Sequence, residues 1–383
     1  MKRDYIIIGN PENRRVEFFQ RALVGQGMKP AKVLSYEEIF KRKLEIGGLI
    51  DTNSIVRIES PGENFNVERG IIALGCESGD IREDVGEGDI RAGDLRKLEY
   101  EKGRILYPSC WYLGFTRLQE AIWKVSSKVQ GLRWMNYPPE ILTMFNKPVC
   151  QQLLDSKLVP VPRRLGKVTG YEDLRNEMEC HSVKRVFVKL FMSSSASGVC
   201  AYQFESKSGR ELLSSTIEIG QIEGQLAFYN SLKIKRYTEK SKIKAVLDWI
   251  CSQGAQVEAW IPKAGIDGYA FDLRVLVVGK KAAHIVPRLS KSPMTNLHLG
   301  NKRGDINLLG LTKREIEEAL AQAEKASAVF PNSHYMGIDV LIASGSHKPY
   351  IIDVNAFGDL LPGIVYNGMD TYTYEIAKFN CKT

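Results

Sequence analysis

The chain has 383 residues, room for two or three domains at roughly 150 residues each. Hydrophobic residues make up 44% and charged residues 26%, which excludes a disordered chain and leaves enough apolar surface for a sizeable core. The net charge of +8 comes from 53 basic residues against 45 acidic ones, spread throughout, so small anionic substrates account for it as well as nucleic acid would, and no nucleic-acid partner is expected.

The apolar runs at 5–8 and 275–278 fall far short of the roughly 18 residues a membrane span needs. The charged start is followed by only a four-residue apolar stretch, too short for a signal-peptide core. The expectation is a soluble cytoplasmic protein with no membrane partner. Seven scattered cysteines without a C-x-x-C pair suggest reduced, partly buried thiols, and five histidines without i, i+4 pairing give no zinc pattern.

Residues 4–8 read as a buried strand running into the turn Gly9-Asn10-Pro11. Residues 14–25 carry Val16, Phe18, Phe19, Ala22 and Leu23 at helical spacing. A second strand at 31–35 and a second helix at 36–43 complete a parallel α/β signature. No G-x-G-x-x-G follows the first strand, so a dinucleotide fingerprint is absent. Residues 51–105 show no clear pattern, and Gly-, Asp- and Glu-rich 79–93 reads as an exposed loop. Helices are expected from about 140 and over 146–154, with a domain boundary around 105–145.

Further on, 185–190 and 199–204 read as a hairpin around a small-residue loop at 191–198. A helix at 243–251 precedes strands at 256–261, 272–278 and 284–288. A long helix over 313–330 and strands at 335–342 and 350–354 close the chain, and no internal repeat is present.

Four features carry chemistry, each with a plainer alternative. Lys189 ends a strand before Ser193-Ser194-Ser195-Ala196-Ser197-Gly198, where small side chains let backbone N–H groups approach a phosphate; the plainer reading is a solvated turn. Asp339, Asp353 and Asn355 sit on two strands able to pair, and such oxygen ligands buried among apolar residues favour a hard cation such as Mg²⁺; the alternative is a strand-end turn cluster. Asp272 and Arg274 share a strand face opposite Phe271, Leu273 and Val275, either in a site or as a solvent-facing ion pair on an edge strand. The long basic stretch from Arg288 to Gly304 could grip a phosphoryl group or form a surface loop. A fifth stretch, Tyr229-Asn-Ser-Leu-Lys-Ile-Lys-Arg-Tyr237, is basic and aromatic; it reads as a binder of an acidic substrate or peptide, or as a solvated helix with a packed aromatic face.

In order, Lys147, Lys189, the strand Val257-Glu258-Ala259-Trp260-Ile261, Asp272-x-Arg274, Arg288, Asn296 and Asp339…Asp353-x-Asn355 resemble the ATP-grasp superfamily of carboxylate–amine ligases. The likeness covers roughly 134–367 and is nearest to the branch with the ribosomal-protein glutamate ligase and tubulin–tyrosine ligase. Trp260-Ile-Pro-Lys-Ala, Met294-Thr-Asn-Leu-His-Leu-Gly and Asn355-Ala-Phe-Gly-Asp-Leu-Leu-Pro resemble an uncharacterised bacterial ATP-grasp group.

The resemblance implies an α/β (α+β) chain: a Rossmann-like pre-ATP-grasp domain at 1–105, a helical linker at 106–145, a lid subdomain at 146–258 and a C-terminal subdomain with the Mg²⁺ site at 259–383. It implies ATP and Mg²⁺ as cofactors. Lys147 and Lys189 would contact ATP phosphates, with Ser195 and Gly198 in the lid loop. Glu258, Ala259 and Ile261 would form the adenine hinge, and Asp272 would touch the ribose region. Arg274 and Arg288 would face the γ-phosphate and acyl phosphate, with His298 as a possible base and Asn296 and Arg303 toward the substrate. Asp339, Asp353 and Asn355 would ligate two Mg²⁺, with Asp353 standing where relatives usually carry glutamate. The expected activity is ADP-forming ligation of a small-molecule or peptide carboxylate to an amine, with a small-metabolite kinase or a non-catalytic ATP-binding module as the alternatives.

Overall fold

Four apolar residues in a row, Tyr5–Ile8, form strand β1, buried on both faces as a central parallel strand must be. Residues 3–76, 98–192 and 197–381 are described by the computed structural model. Ser195 and the 79–93 stretch therefore lie outside the described residues. β1 pairs in parallel with β2 (Lys32–Leu34) and β3 (Ile55–Ile58), and β3 with β4 (Arg133–Trp134), giving the order β2-β1-β3-β4. Helix α1 (Arg14–Gly25) starts where the Asn13 side chain accepts the Arg15 N–H, and α2 (Tyr36–Lys41) is capped by Ser35.

Helix α3 (Phe65–Cys76) falls in a stretch where no element was expected, and α4 (Pro108–Lys124) falls within the expected helical linker. They cross at Gly75 and Gly114. A Cβ on Gly75 would lie 1.8 Å from the Cys110 carbonyl oxygen, and one on Gly114 would lie 1.8 Å from that of Ile71, so only glycine permits this approach. Helices α5 (Pro138–Phe145) and α6 (Lys147–Ser156) follow, each opened by proline, and Asn146 caps α6.

The middle sheet is antiparallel, β8-β7-β6-β5-β9, built from β5 (Arg185–Leu190), β6 (Val199–Glu205), β7 (Arg210–Ile222), β8 (Gln225–Tyr237) and β9 (Ala255–Ala259). Helices α7 (Tyr171–Cys180) and α8 (Lys240–Ser252) supply Tyr171, Leu174, Val246 and Ile250 to its own core. The 229–237 stretch is thus strand and not helix. Tyr229 and Tyr237 are held by strand pairing, whereas Ile234 falls in a bulge described below that breaks the alternation.

The last sheet runs β13-β12-β11-β14-β15, with β10 (Gly265–Ile266) pairing at one end of β11. Its strands are β11 (Tyr269–Val278), β12 (Lys281–Ser290), β13 (Lys302–Arg303), β14 (Tyr335–Ile342) and β15 (Pro349–Asn355). Helix α9 (Lys313–Ala328) begins with a capping box between Thr312 and Glu315 and buries Ala319, Ala323 and Ala326. β11 is central and buried on both faces. Leu273, Val275 and Val277 join one core, shared with Ile8 and Val56 of the first sheet. Leu276 and Val278 join a second, with Ile7, Phe19 and helix α10 (Thr371–Asn380).

A single cation pins these parts together. The Arg57 guanidinium is fully buried, bonded to Glu59 and to Glu375, each at 2.6 Å, and sits 4.2–4.7 Å from the ring centroids of Phe19, Tyr335 and Tyr372. None of the seven cysteines is disulfide-bonded. Among the described residues no helix is long and apolar enough to cross a membrane.

Candidate active site

Between the middle and last sheets lies a cavity of about 110 Å³. Phe187 and Lys189 of β5, Val199 of β6 and Glu258 and Ala259 of β9 wall one side. Asp272 of β11, Arg288 of β12, Asp339 of β14 and Asp353 of β15 wall the other, and Pro293–Asn296 closes an end. Lys147 enters from the first turn of α6, where the Asn146 cap fixes the start of the helix.

Every cation in this lining has an acid partner. Lys147 Nζ lies 2.9 Å from Asp353 Oδ1, and Lys189 pairs with the buried Glu258. Lys263 Nζ is 2.9 Å from Asp272 Oδ2 and 2.6 Å from Thr295 Oγ1. Arg288 spans two acids, with Nε 2.7 Å from Asp272 Oδ1 and Nη2 3.0 Å from Asp339 Oδ2. Burial disfavours charge on each group, and the partners decide the outcome. Burial works against Arg288, but Asp272 and Asp339 outweigh it and hold its proton more tightly than usual. Burial likewise opposes the Asp353 and Asp272 carboxylates, yet Lys147 and Arg288 respectively keep them below the usual range. Lys147 is held above its ordinary value despite burial because Asp353 faces it. Lys263 goes the other way: burial exceeds the help from Asp272, and its pKa falls.

Asp272 and Arg274 do not form the edge-strand ion pair that their spacing allowed. β11 is a central strand, and the two residues reach different partners. Arg274 Nε approaches Asp339 Oδ1 at 2.6 Å and its Nη1 approaches Asp359 at 3.3 Å. The first approach is an ion pair without hydrogen-bond alignment, which leaves Asp339 Oδ1 buried with no aligned donor among the described residues. Asp353 stands directly across from Asp339 in the β14–β15 register, and Asn355 across from Gly337. The Asn355 amide donates from Nδ2 to the Gly337 carbonyl, leaving its oxygen end for a ligand.

Ten of the residues singled out in the sequence line this one cavity: Lys147, Lys189, Glu258, Ala259, Ile261, Asp272, Arg288, Asn296, Asp339 and Asp353. Arg274 and Asn355 stand behind that wall. Gly198 takes a positive φ of 63° at the start of β6. His298 is exposed and outside the lining, its backbone N–H bonded to Asn296 Oδ1. Arg303 is exposed and donates to the Pro362 carbonyl. Sequence reasoning missed Lys263, Thr295 and Asp359. Lys263 sits two residues after Ile261 in an otherwise apolar run, which was the available signal. Gln256 and Gln151 were also missed; they bond to each other at 2.7 Å, and Gln256 supports Glu258 from behind.

Two carboxylates and an amide oxygen on adjacent strands, one carboxylate oxygen lacking an aligned donor, suit a hard cation. Among the described residues no group of three or more His, Cys, Asp or Glu is placed to hold a metal ion.

The solved structures of similar shape decide the architecture. PsnB, described as an ATP-grasp ligase complexed with a phosphomimetic variant of a minimal precursor, Mg and ADP, matches over 99% of this chain and 98% of its own, at 13% identity and a TM-score of 0.52. The fold is that of the ATP-grasp ligases. The D-cycloserine synthetase DcsG shares this ATP-grasp fold over 98% of this chain and 99% of its own, at 11% identity and a TM-score of 0.54. So does the macrocyclase MdnC from Microcystis aeruginosa, bound with its precursor peptide MdnA, over 99% and 100%, at 12% identity and a TM-score of 0.52. No family model and no curated protein matches the sequence.

Proposed function

We propose that the protein is an ATP-dependent ligase that joins a carboxylate to an amine through an acyl phosphate, with Mg²⁺ as cofactor. The observation carrying this reading is the cavity between two sheets in which Lys147, Lys189 and Arg288 converge on the oxygen set of Asp339 and Asp353. The reading treats 146–258 as the lid and 259–383 as the subdomain holding the metal ligands, and keeps the likeness to the branch with the ribosomal-protein glutamate ligase and tubulin–tyrosine ligase.

In this reading the cavity is charge-neutral before nucleotide arrives, so binding is an exchange. Lys147 and Lys189 leave Asp353 and Glu258 for ATP phosphates. Mg²⁺, held by Asp339, Asp353 and Asn355, would supply charge neutralisation at the phosphate oxygens. Ala259 and Ile261 offer backbone groups to adenine. Both oxygens of Asp272 are engaged by Arg288, Lys263 and Thr295, so its role is to position Arg288, not to reach the ribose.

A carboxylate is a poor acyl donor because oxide is a poor leaving group. Attack of a substrate carboxylate oxygen on the γ-phosphorus breaks its bond to ADP and forms an acyl phosphate. Amine attack on the acyl carbon then expels phosphate, and the nitrogen loses a proton. Arg288, and Arg274 through Asp339, stabilise the charge that spreads over the phosphoryl oxygens. PsnB and MdnC were crystallised with precursor peptides and DcsG makes a small molecule, so both peptide and small-molecule carboxylates belong in the test.

The test is release of ADP and phosphate with pairs of candidate carboxylates and amines. Phosphate released only when both substrates are present supports the ligase. A stable phosphorylated product with one substrate means a kinase, and nucleotide binding without turnover for any pair means a regulatory module.

A further inference from the structure

The longest strands of the middle sheet carry midway a feature the catalytic reading does not use. β8 is the outermost strand of that sheet. Its register with β7 jumps from Ser215↔Lys235 to Ile217↔Asn230, so Thr216 alone faces the four residues 231–234. β7 has no slack to absorb them, because Ser215 Oγ and Thr216 Oγ1 are tied to the Val199 backbone of β6. The surplus therefore bows out of β8 as a wide bulge.

Its inner side chain, Ile234, packs with Phe187, Ala201, Met294, Trp260 and Leu299. Met294 also lines the cavity, so one side chain stands between the bulge and the cavity. Leu232 on the outer side is 58% exposed. Lys233 and Arg236 are exposed too and have no acidic partner within salt-bridge distance among the described residues; Lys235 has one, Glu218 at 2.6 Å.

The other half of this edge already holds an extended segment. Ile105 donates to the Phe228 carbonyl at 3.0 Å, and Asn230 donates to Gly103 at 2.6 Å, an antiparallel bridge centred on Arg104 and Tyr229. The segment brings an acid with it: Tyr229 donates to Glu101 at 2.5 Å. It then turns away at residues 102–103, and no described residue pairs along 231–237 from outside.

We propose that residues 231–237 of β8 dock an extended acidic peptide, which continues the strand pairing begun by residues 103–105. Backbone pairing would give affinity, Leu232 an apolar contact, and Lys233, Lys235 and Arg236 the charge preference. Docking stands on the edge alone. Only the further step, that the docked chain delivers its carboxylate past Ile234 into the cavity, rests on the ligase reading.

The experiment measures binding without nucleotide, so it can fail or succeed independently of turnover. A fluorescein-labelled peptide alternating Glu and Val is titrated with the full chain at low salt and followed by anisotropy. The expected result is saturable binding that weakens with salt. It should also weaken about tenfold, near 1.4 kcal/mol, in a Lys233→Glu, Arg236→Glu double variant whose melting temperature is unchanged. N-methylation at one set of alternate peptide amides should abolish binding and at the other set leave it. Equal binding by the double variant, by a Lys–Val peptide, or by peptides methylated in either phase would overturn the proposal. Single-stranded RNA displacing the peptide at equal charge would overturn it in favour of a general polyanion surface.

Discussion

Glu375 gives the sharpest test of how this fold is held. Its carboxylate lies 2.6 Å from Arg57 Nη1, fully buried, while Glu59 shares the same guanidinium and Arg15 lies 3.6 Å from Glu59. The rings of Tyr335 and Tyr372 and the His334 side chain, bonded to the Glu375 carbonyl, complete the surroundings. Burial raises the Glu375 pKa more than Arg57 lowers it, from 4.5 to about 7. At ~1.4 kcal/mol per pH unit this corresponds to about 3 kcal/mol. The folded chain thus binds a proton at Glu375 that the unfolded chain has released. The associated stability is full below about pH 4.5 and is lost as pH rises toward about 7. Glu375→Gln imitates the protonated form. Its melting temperature should match the wild type near about pH 4.5 and exceed it by several degrees near about pH 8. Melting both proteins by circular dichroism across this range is the assay, and titrating groups remote from Glu375 cancel in the difference. Parallel profiles for the two proteins would refute the reasoning.

Other expectations concern the cavity and the helix crossing. Lys189→Ala and Asp353→Ala should each lower ATP turnover by roughly a hundredfold or more with the circular dichroism spectrum unchanged, and wild-type turnover in both would remove the site assignment. Asp272→Asn leaves Lys263 without its counter-charge and Arg288 with Asp339 alone, so turnover should drop and urea unfolding should show a loss of about 3 kcal/mol. Gly114→Ala drives a methyl against the Ile71 carbonyl and should cost about 3 kcal/mol by the same unfolding measurement, without altering the cavity.

Elements with a clean period were legible in the sequence. Helix α1 shows Val16, Phe19 and Leu23 on one face behind an Asn13 cap, and β14 is apolar around Asp339. Helix α3 was not, because its Gly75 contact with α4 weakens the apolar pattern instead of sharpening it. β8 escaped because the bulge at 231–234 shifts its period-two alternation midway. In the site, the charged residues announced themselves, but their pairing did not. Arg288 spanning Asp272 and Asp339, and Arg274 reaching Asp359, depend on the order β12-β11-β14, which no local spacing encodes.

The glycine-tight helix pair and the Arg57 pin tie the first and last sheets into continuous apolar interiors, whereas the middle sheet keeps an interior of its own. A load applied across the cleft would therefore yield at the boundary of the middle sheet, leaving Asp339, Asp353 and Arg288 in fixed registry.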